Sequence, residues 1–73
     1  MKQASKKEDT KQRILDEALR LFSQSGYDAV SVERIASAVG IKAPSLYKHF
    51  KSKQEIFDAI VAETYRRYDT FTD

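Results

Sequence analysis

Apolar residues in this chain recur one, three and four apart in successive blocks, and nowhere alternate over a useful length as a half-buried strand requires. The first block is Ile14, Leu15, Ala18, Leu19 and Phe22, and the second is Val32, Ile35, Ala36 and Val39. The third is Leu46 and Phe50, and the fourth is Ile56, Phe57, Ile60, Val61 and Tyr65. Each block predicts the buried stripe of one amphipathic helix, so the chain is expected to be all-α. Its 73 residues include no cysteine and one histidine. Neither a disulfide nor a zinc site of the usual Cys/His kind can reinforce it. A domain this short buries only about 60% of the surface its unfolded chain exposes. Stability must come from helix packing, or from association with another chain.

The helix boundaries are signalled locally. Residues 1–9 are polar and without periodicity, and are expected to form a flexible basic arm. The first helix is expected over 10–25, capped by Asp9 or Thr10 and ended by Gly26, a residue suited to the positive φ of a helix C-terminus. "GYDAV" then makes a tight connection. The second helix is expected over 31–39, with Ser31 as N-cap and Glu33 in the positively polarised first turn. Gly40 breaks it. The third helix is expected over 43–50, with Pro44 in the first turn, where a missing N–H costs nothing. Ser52 and Glu55 form a capping box that starts a fourth helix, expected to run to residue 67 or beyond.

The short link containing Gly40 between helices two and three has the spacing of a helix-turn-helix. Ala36, one turn before Gly40, is small enough for the next helix to cross closely, and Ile41 can plug the angle. On an ideal third helix, Leu46 and Phe50 fall within about 40° of each other and mark the inner side. Ala43 lies near them, Pro44, Ser45 and Lys48 point away, and Tyr47 and His49 lie on the flanks. Charge is distributed in blocks: +3 over 1–13, −2 over 14–41, +4 over 42–53 and −3 over 54–73. The third block contains four lysines and no acid. Such a surface fits a polyanion, and an acid-free helix fits the DNA major groove. Its Ser, Tyr, His and Lys side chains can bind phosphate oxygens. Lys53 falls in the first turn of helix four, where the helix dipole disfavours a cation, which points to a nearby anion.

Plainer alternatives stand beside these. The basic stretch can be a solvated face, Tyr47 a half-buried core residue, and His49 a packing residue at a helix end. Lys6, Lys7, Lys11 and Arg13 can follow a DNA backbone or enter the minor groove, or can simply aid solubility. The chain has no asparagine, and helix three has no Arg or Gln, which removes the usual bidentate reading of adenine. Lys42 or Lys48 can meet guanine, and Ala43 and Pro44 a thymine methyl. No catalytic constellation or phosphate loop is present, so no enzyme activity, metal or cofactor is expected. No apolar run approaches the ~18–20 residues of a membrane span, and the N-terminus lacks a signal-peptide core. The competing function is a helical protein-interaction module that does not bind DNA.

The segments "IL.EAL.LF...GY", "S...IA..VGI" and "LYKHFKSKQEIF", spread over residues 14–57, together resemble the DNA-binding domain of the TetR family of bacterial transcriptional regulators. The resemblance implies a helix-turn-helix domain over 10–51 whose third helix reads the major groove of a palindromic operator in double-stranded DNA. Positions matching Lys42, Ala43, Pro44, Ser45, Tyr47, Lys48 and His49 then approach DNA, and those matching Ser31 and Lys53 contact phosphates. It implies a cytoplasmic, nucleoid-associated repressor that works as a homodimer. The fourth helix, 52–73, would lead to a larger domain, absent from this chain, that dimerises and binds a small-molecule effector. The isolated domain is accordingly expected to be monomeric or weakly associating. Lys42 stands where the family often has Ser, and Pro44 where it often has Gly. A Ser can cap helix three and a Lys cannot.

Overall fold

The computed structural model describes the backbone of residues 6–72 and the side chains of residues 10–65. Four α-helices follow one another: α1 (Lys6–Ser25), α2 (Val32–Val39), α3 (Ala43–Tyr47) and α4 (Lys53–Thr72). A single 3₁₀ turn, Tyr27–Ala29, links α1 to α2. No strand occurs among the described residues. α1 is the common scaffold, packing against both α2 and α4, while α3 packs on α2.

The core contains residues from every helix. Ile14, Leu15, Ala18 and Leu21 of α1 meet Val32, Ile35, Ala36 and Val39 of α2, Leu46 of α3, and Ile56 and Ile60 of α4, with Val30 and Phe50 from the connections. No polar side chain is buried among the described residues. Val30, just before the cap of α2, and Ile35, in the second turn, are both buried. They occupy the positions that a hydrophobic staple joins, which sets the angle at which the chain enters α2.

Three expectations are corrected. First, α1 begins at Lys6, so residues 6–9 are helical rather than part of an arm, and neither Asp9 nor Thr10 is a cap. "KKEDTKQ" holds mostly good helix formers and no Gly or Pro, and its two acids fall in the first turn, where the dipole favours them. Residues 1–5 lie outside the described residues. Second, the α1 stripe uses Leu21, which is 4% exposed, and not Leu19, which is 50% exposed. Leu21 lies within about 20° of Ile14 around the helix, whereas Leu19 is displaced by about 140°. Third, α3 ends at Tyr47 and not at residue 50. The N–H groups of Lys48 and His49 bond three residues back, to Ser45 and Leu46 at 3.2 and 2.9 Å, so the last turn tightens before Phe50.

On α4, Ile56 and Ile60 are buried as the stripe requires, but Phe57 and Tyr65 are exposed. The side chains of Tyr68 and Phe71 lie outside those described. No helix of the described residues is long and apolar enough to cross a membrane.

Candidate nucleic-acid interface

The turn between α2 and α3 is set by its hydrogen bonds. Gly40 has φ 94° and ψ 25°, the left-handed conformation that a β-carbon resists. Its N–H reaches the Ser37 carbonyl at 3.1 Å, and the Ile41 N–H reaches the Ala36 carbonyl at 2.9 Å. This pair of bonds is a Schellman motif, which satisfies the carbonyls left over at the end of α2. Ile41 packs on the core immediately afterwards, so the chain must turn inward before α3 starts. The helix-turn-helix angle is thereby fixed by one backbone conformation and one apolar plug.

A further tie comes from α1. The Arg13 guanidinium donates to the Val39 carbonyl at 2.6 Å, which adds a cation at the negative end of α2. Arg13 therefore belongs to the frame of the turn rather than to a free basic arm. Two residues earlier, the Lys11 ammonium sits 5.6 Å from the centre of the Phe50 ring. The two positive blocks, far apart in sequence, thus meet where the connection after α3 passes Lys11 of α1.

The sequence-predicted residues divide by exposure. Ser31, Lys42, Pro44, Ser45, Tyr47 and Lys48 are exposed, and Ala43, His49 and Lys53 are half-buried. Leu46 and Phe50 face inward, 0% and 4% exposed. From Lys42 to Lys53 the outer surface carries no carboxylate. Pro44 is the second residue of α3, and no side chain caps that helix at Lys42. The Lys42 carbonyl instead accepts from both Ser45 and Leu46, at 2.9 and 3.1 Å.

Two outlying residues have additional work. The Ser31 hydroxyl oxygen accepts the Arg34 N–H at 3.0 Å, which caps α2. Its own proton remains available to an anion. At the start of α4, Ser52 accepts the Glu55 N–H at 3.2 Å, and the Glu55 carboxylate accepts the Lys51 N–H at 2.9 Å. The acid nearest the basic segment is therefore turned back onto backbone. The Lys53 ammonium donates to the Tyr27 carbonyl at 2.8 Å and lies 4.2 Å from the centre of the Tyr27 ring. The Tyr27 hydroxyl is 3.2 Å from Gln54 Oε1, to which it donates. Sequence reasoning passed over Tyr27. The signal for it was Lys53 itself, since a cation at a helix N-terminus needs a compensating partner. No group of His, Asp and Glu among the described residues could hold a metal ion.

A Gly-turned helix pair whose second helix exposes the hydroxyls of Ser45 and Tyr47 between exposed Lys42 and Lys48, scaffolded by a longer helix on each side, defines a helix-turn-helix domain. The family model "Bacterial regulatory proteins, tetR family" matches residues 14–60, and the chain belongs to that family of DNA-binding transcriptional regulators. It is 47% identical over 53 residues to the HTH-type transcriptional regulator AcrR of Shigella flexneri, covering 73% of this chain and 25% of that protein. It is also 47% identical over 51 residues to the "Biofilm operon icaADBC HTH-type negative transcriptional regulator IcaR" of Staphylococcus aureus strain Newman, covering 70% of this chain and 27% of that protein. The match thus spans about a quarter of the length of these relatives.

Proposed function

We propose that this chain is the N-terminal DNA-binding part of a TetR-like transcriptional repressor, acting in the bacterial cytoplasm at the nucleoid. α3 enters the major groove of a palindromic operator in double-stranded DNA. The observation that carries this reading is the exposed, carboxylate-free face of α3, held at a fixed angle by the Gly40 turn, with the Lys11 ammonium beside Phe50 just after it. Lys42 and Lys48 are assigned to guanine edges, and Ala43 and Pro44 to thymine methyls. Ser45, Tyr47 and His49 are assigned to the phosphates on either side, and Ser31 and Lys53 to phosphates beyond the ends of α3. The negative regulation named for the staphylococcal relative favours a repressor. In a longer homodimeric protein, the region beyond α4 would dimerise and take the small-molecule effector. The chain alone is monomeric or weakly associating.

Selection of bound duplexes from a random pool tests the reading. Recovery of a half-site with G and T edges, repeated as a palindrome when two domains are joined, is the expected outcome. Lys48→Ala should relax base preference at one position, whereas Lys53→Ala should weaken binding to operator and scrambled DNA alike. Equal losses on both DNAs for Lys48→Ala would remove its base-reading role. NMR shift changes on adding DNA that bypass residues 42–53 would favour a protein-interaction module instead.

A further inference from the structure

We propose that Tyr27 is a positioning residue that holds the Lys53 ammonium in place for a DNA phosphate, an inference that rests on the DNA-binding reading above. Lys53 is the first residue of α4, where the helix dipole opposes a positive charge. Two features of Tyr27 offset that opposition. Its carbonyl oxygen accepts from Lys53 Nζ at 2.8 Å, and its ring centre lies 4.2 Å from the same atom. The ring face attracts the cation electrostatically. An ammonium has three N–H donors, and the carbonyl takes one of them. The charge is therefore localised while donors remain for an anion.

Tyr27 can do this because it is itself held on several sides. Its ring lies 5.2 Å from that of Phe22 on α1 and 5.4 Å from that of Phe57 on α4, and those two rings are 6.2 Å apart. Its hydroxyl bonds Gln54, and its carbonyl also accepts the Val30 N–H at 3.3 Å. Gly26 delivers it there with φ 88° and ψ 153°, a conformation reached essentially only by glycine. The aromatic trio is thus a bracket joining α1 and α4, with Lys53 on its edge. A lysine left free has four rotatable bonds to immobilise when it meets a phosphate. Lys53 has already been ordered during folding, so less is lost on binding.

Salt dependence tests this, because each phosphate contact adds about 0.9 to the slope of log affinity against log salt. The probe is a duplex recovered by selection with this same chain. Lys53→Met is expected to lower the slope by about 0.9. Tyr27→Leu, which removes the ring, should lower it similarly and weaken binding roughly three- to tenfold. Tyr27→Phe keeps ring and carbonyl and should retain the wild-type slope. The Tyr27→Leu, Lys53→Met double variant should match Lys53→Met alone.

A Tyr27→Leu slope equal to that of the wild type, or additive losses in the double variant, would make Tyr27 merely a packing residue and overturn the proposal. An unchanged slope for Lys53→Met would overturn it too, while leaving DNA binding intact. Failure of the wild-type chain to bind any duplex would instead bring down the DNA-binding reading, and the proposal with it. If Tyr27→Leu does not fold, the wild-type protein still decides. With Nζ 4.2 Å from the Tyr27 ring centre, the neighbouring Lys53 ε-methylene protons are expected to be shifted upfield by the ring, and that shift should persist on DNA. Its disappearance on binding would show the ammonium leaving Tyr27 to reach the phosphate, contrary to the proposal.

Discussion

Gly40 adopts φ 94°, and no heavy atom beyond Gly40 and its two chain neighbours lies within 4 Å of where its β-carbon would be. Replacing it is therefore a matter of backbone conformation alone, without a clash. Gly40→Ala is expected to cost about 1–2 kcal/mol, and Gly40→Asn less, because Asn tolerates the left-handed region. Thermal melting followed by circular dichroism measures both. Gly40→Ala melting with the wild type would mean that the turn relaxes out of this conformation. The arginine beneath the turn can be tested separately. Arg13→Met keeps an aliphatic stem but loses the bond to the Val39 carbonyl, and should cost about 1 kcal/mol. Gly40 was legible in the sequence because a helix end leaves few residue choices. Arg13 was not, because its partner is a backbone carbonyl 26 residues away, and every residue offers a carbonyl.

Among the elements, the helices with capping residues were the most legible. Ser31 begins α2 as expected, and Ser52 and Glu55 bracket the start of α4. Ser31 also separates two roles. Ser31→Ala should lower stability by about 1 kcal/mol through loss of the cap. Ser31→Asp should keep the cap, since a carboxylate also accepts the Arg34 N–H, yet weaken DNA binding by repelling phosphate. Denaturation and binding measured on both variants distinguish the roles. If Ser31→Asp binds DNA as tightly as the wild type, Ser31 touches no phosphate. The length of α3 was less legible. Residues 48–50 carry no breaker, and the shortening arises from which carbonyl each N–H finds as Phe50 enters the core. The Leu19 expectation failed for a different reason. A leucine at the margin of a stripe is buried only if a neighbouring helix covers that margin, and the α1 sequence does not contain that information. In the fold, Leu19 instead borders a shallow groove with Leu15, Ile60 and Thr64.

At the scale of the whole molecule, the charge blocks were visible in the sequence, but their meeting was not. It depends on the connection between α3 and α4 folding back onto α1, which places Lys11 by Phe50. The consequence for binding is electrostatic. Affinity for DNA should be weak for one domain and fall steeply with salt, since a lone domain lacks the avidity of two joined half-site readers. Titrations at several salt concentrations check this, and salt-independent nanomolar binding by a monomer would contradict it. The tertiary polar ties are also unevenly placed. One joins α1 to the end of α2, and the others join Tyr27 to Lys53 and Gln54. Among the described residues, no side-chain hydrogen bond reaches α3. Leu46 and Phe50 hold it by packing, and five residues are far too few for a helix to persist unaided. The element assigned to reading bases is thus also the one that can open to solvent while the rest stays folded. Amide protons of α3 should exchange with deuterium sooner than those of α2, and a bound duplex should slow them most.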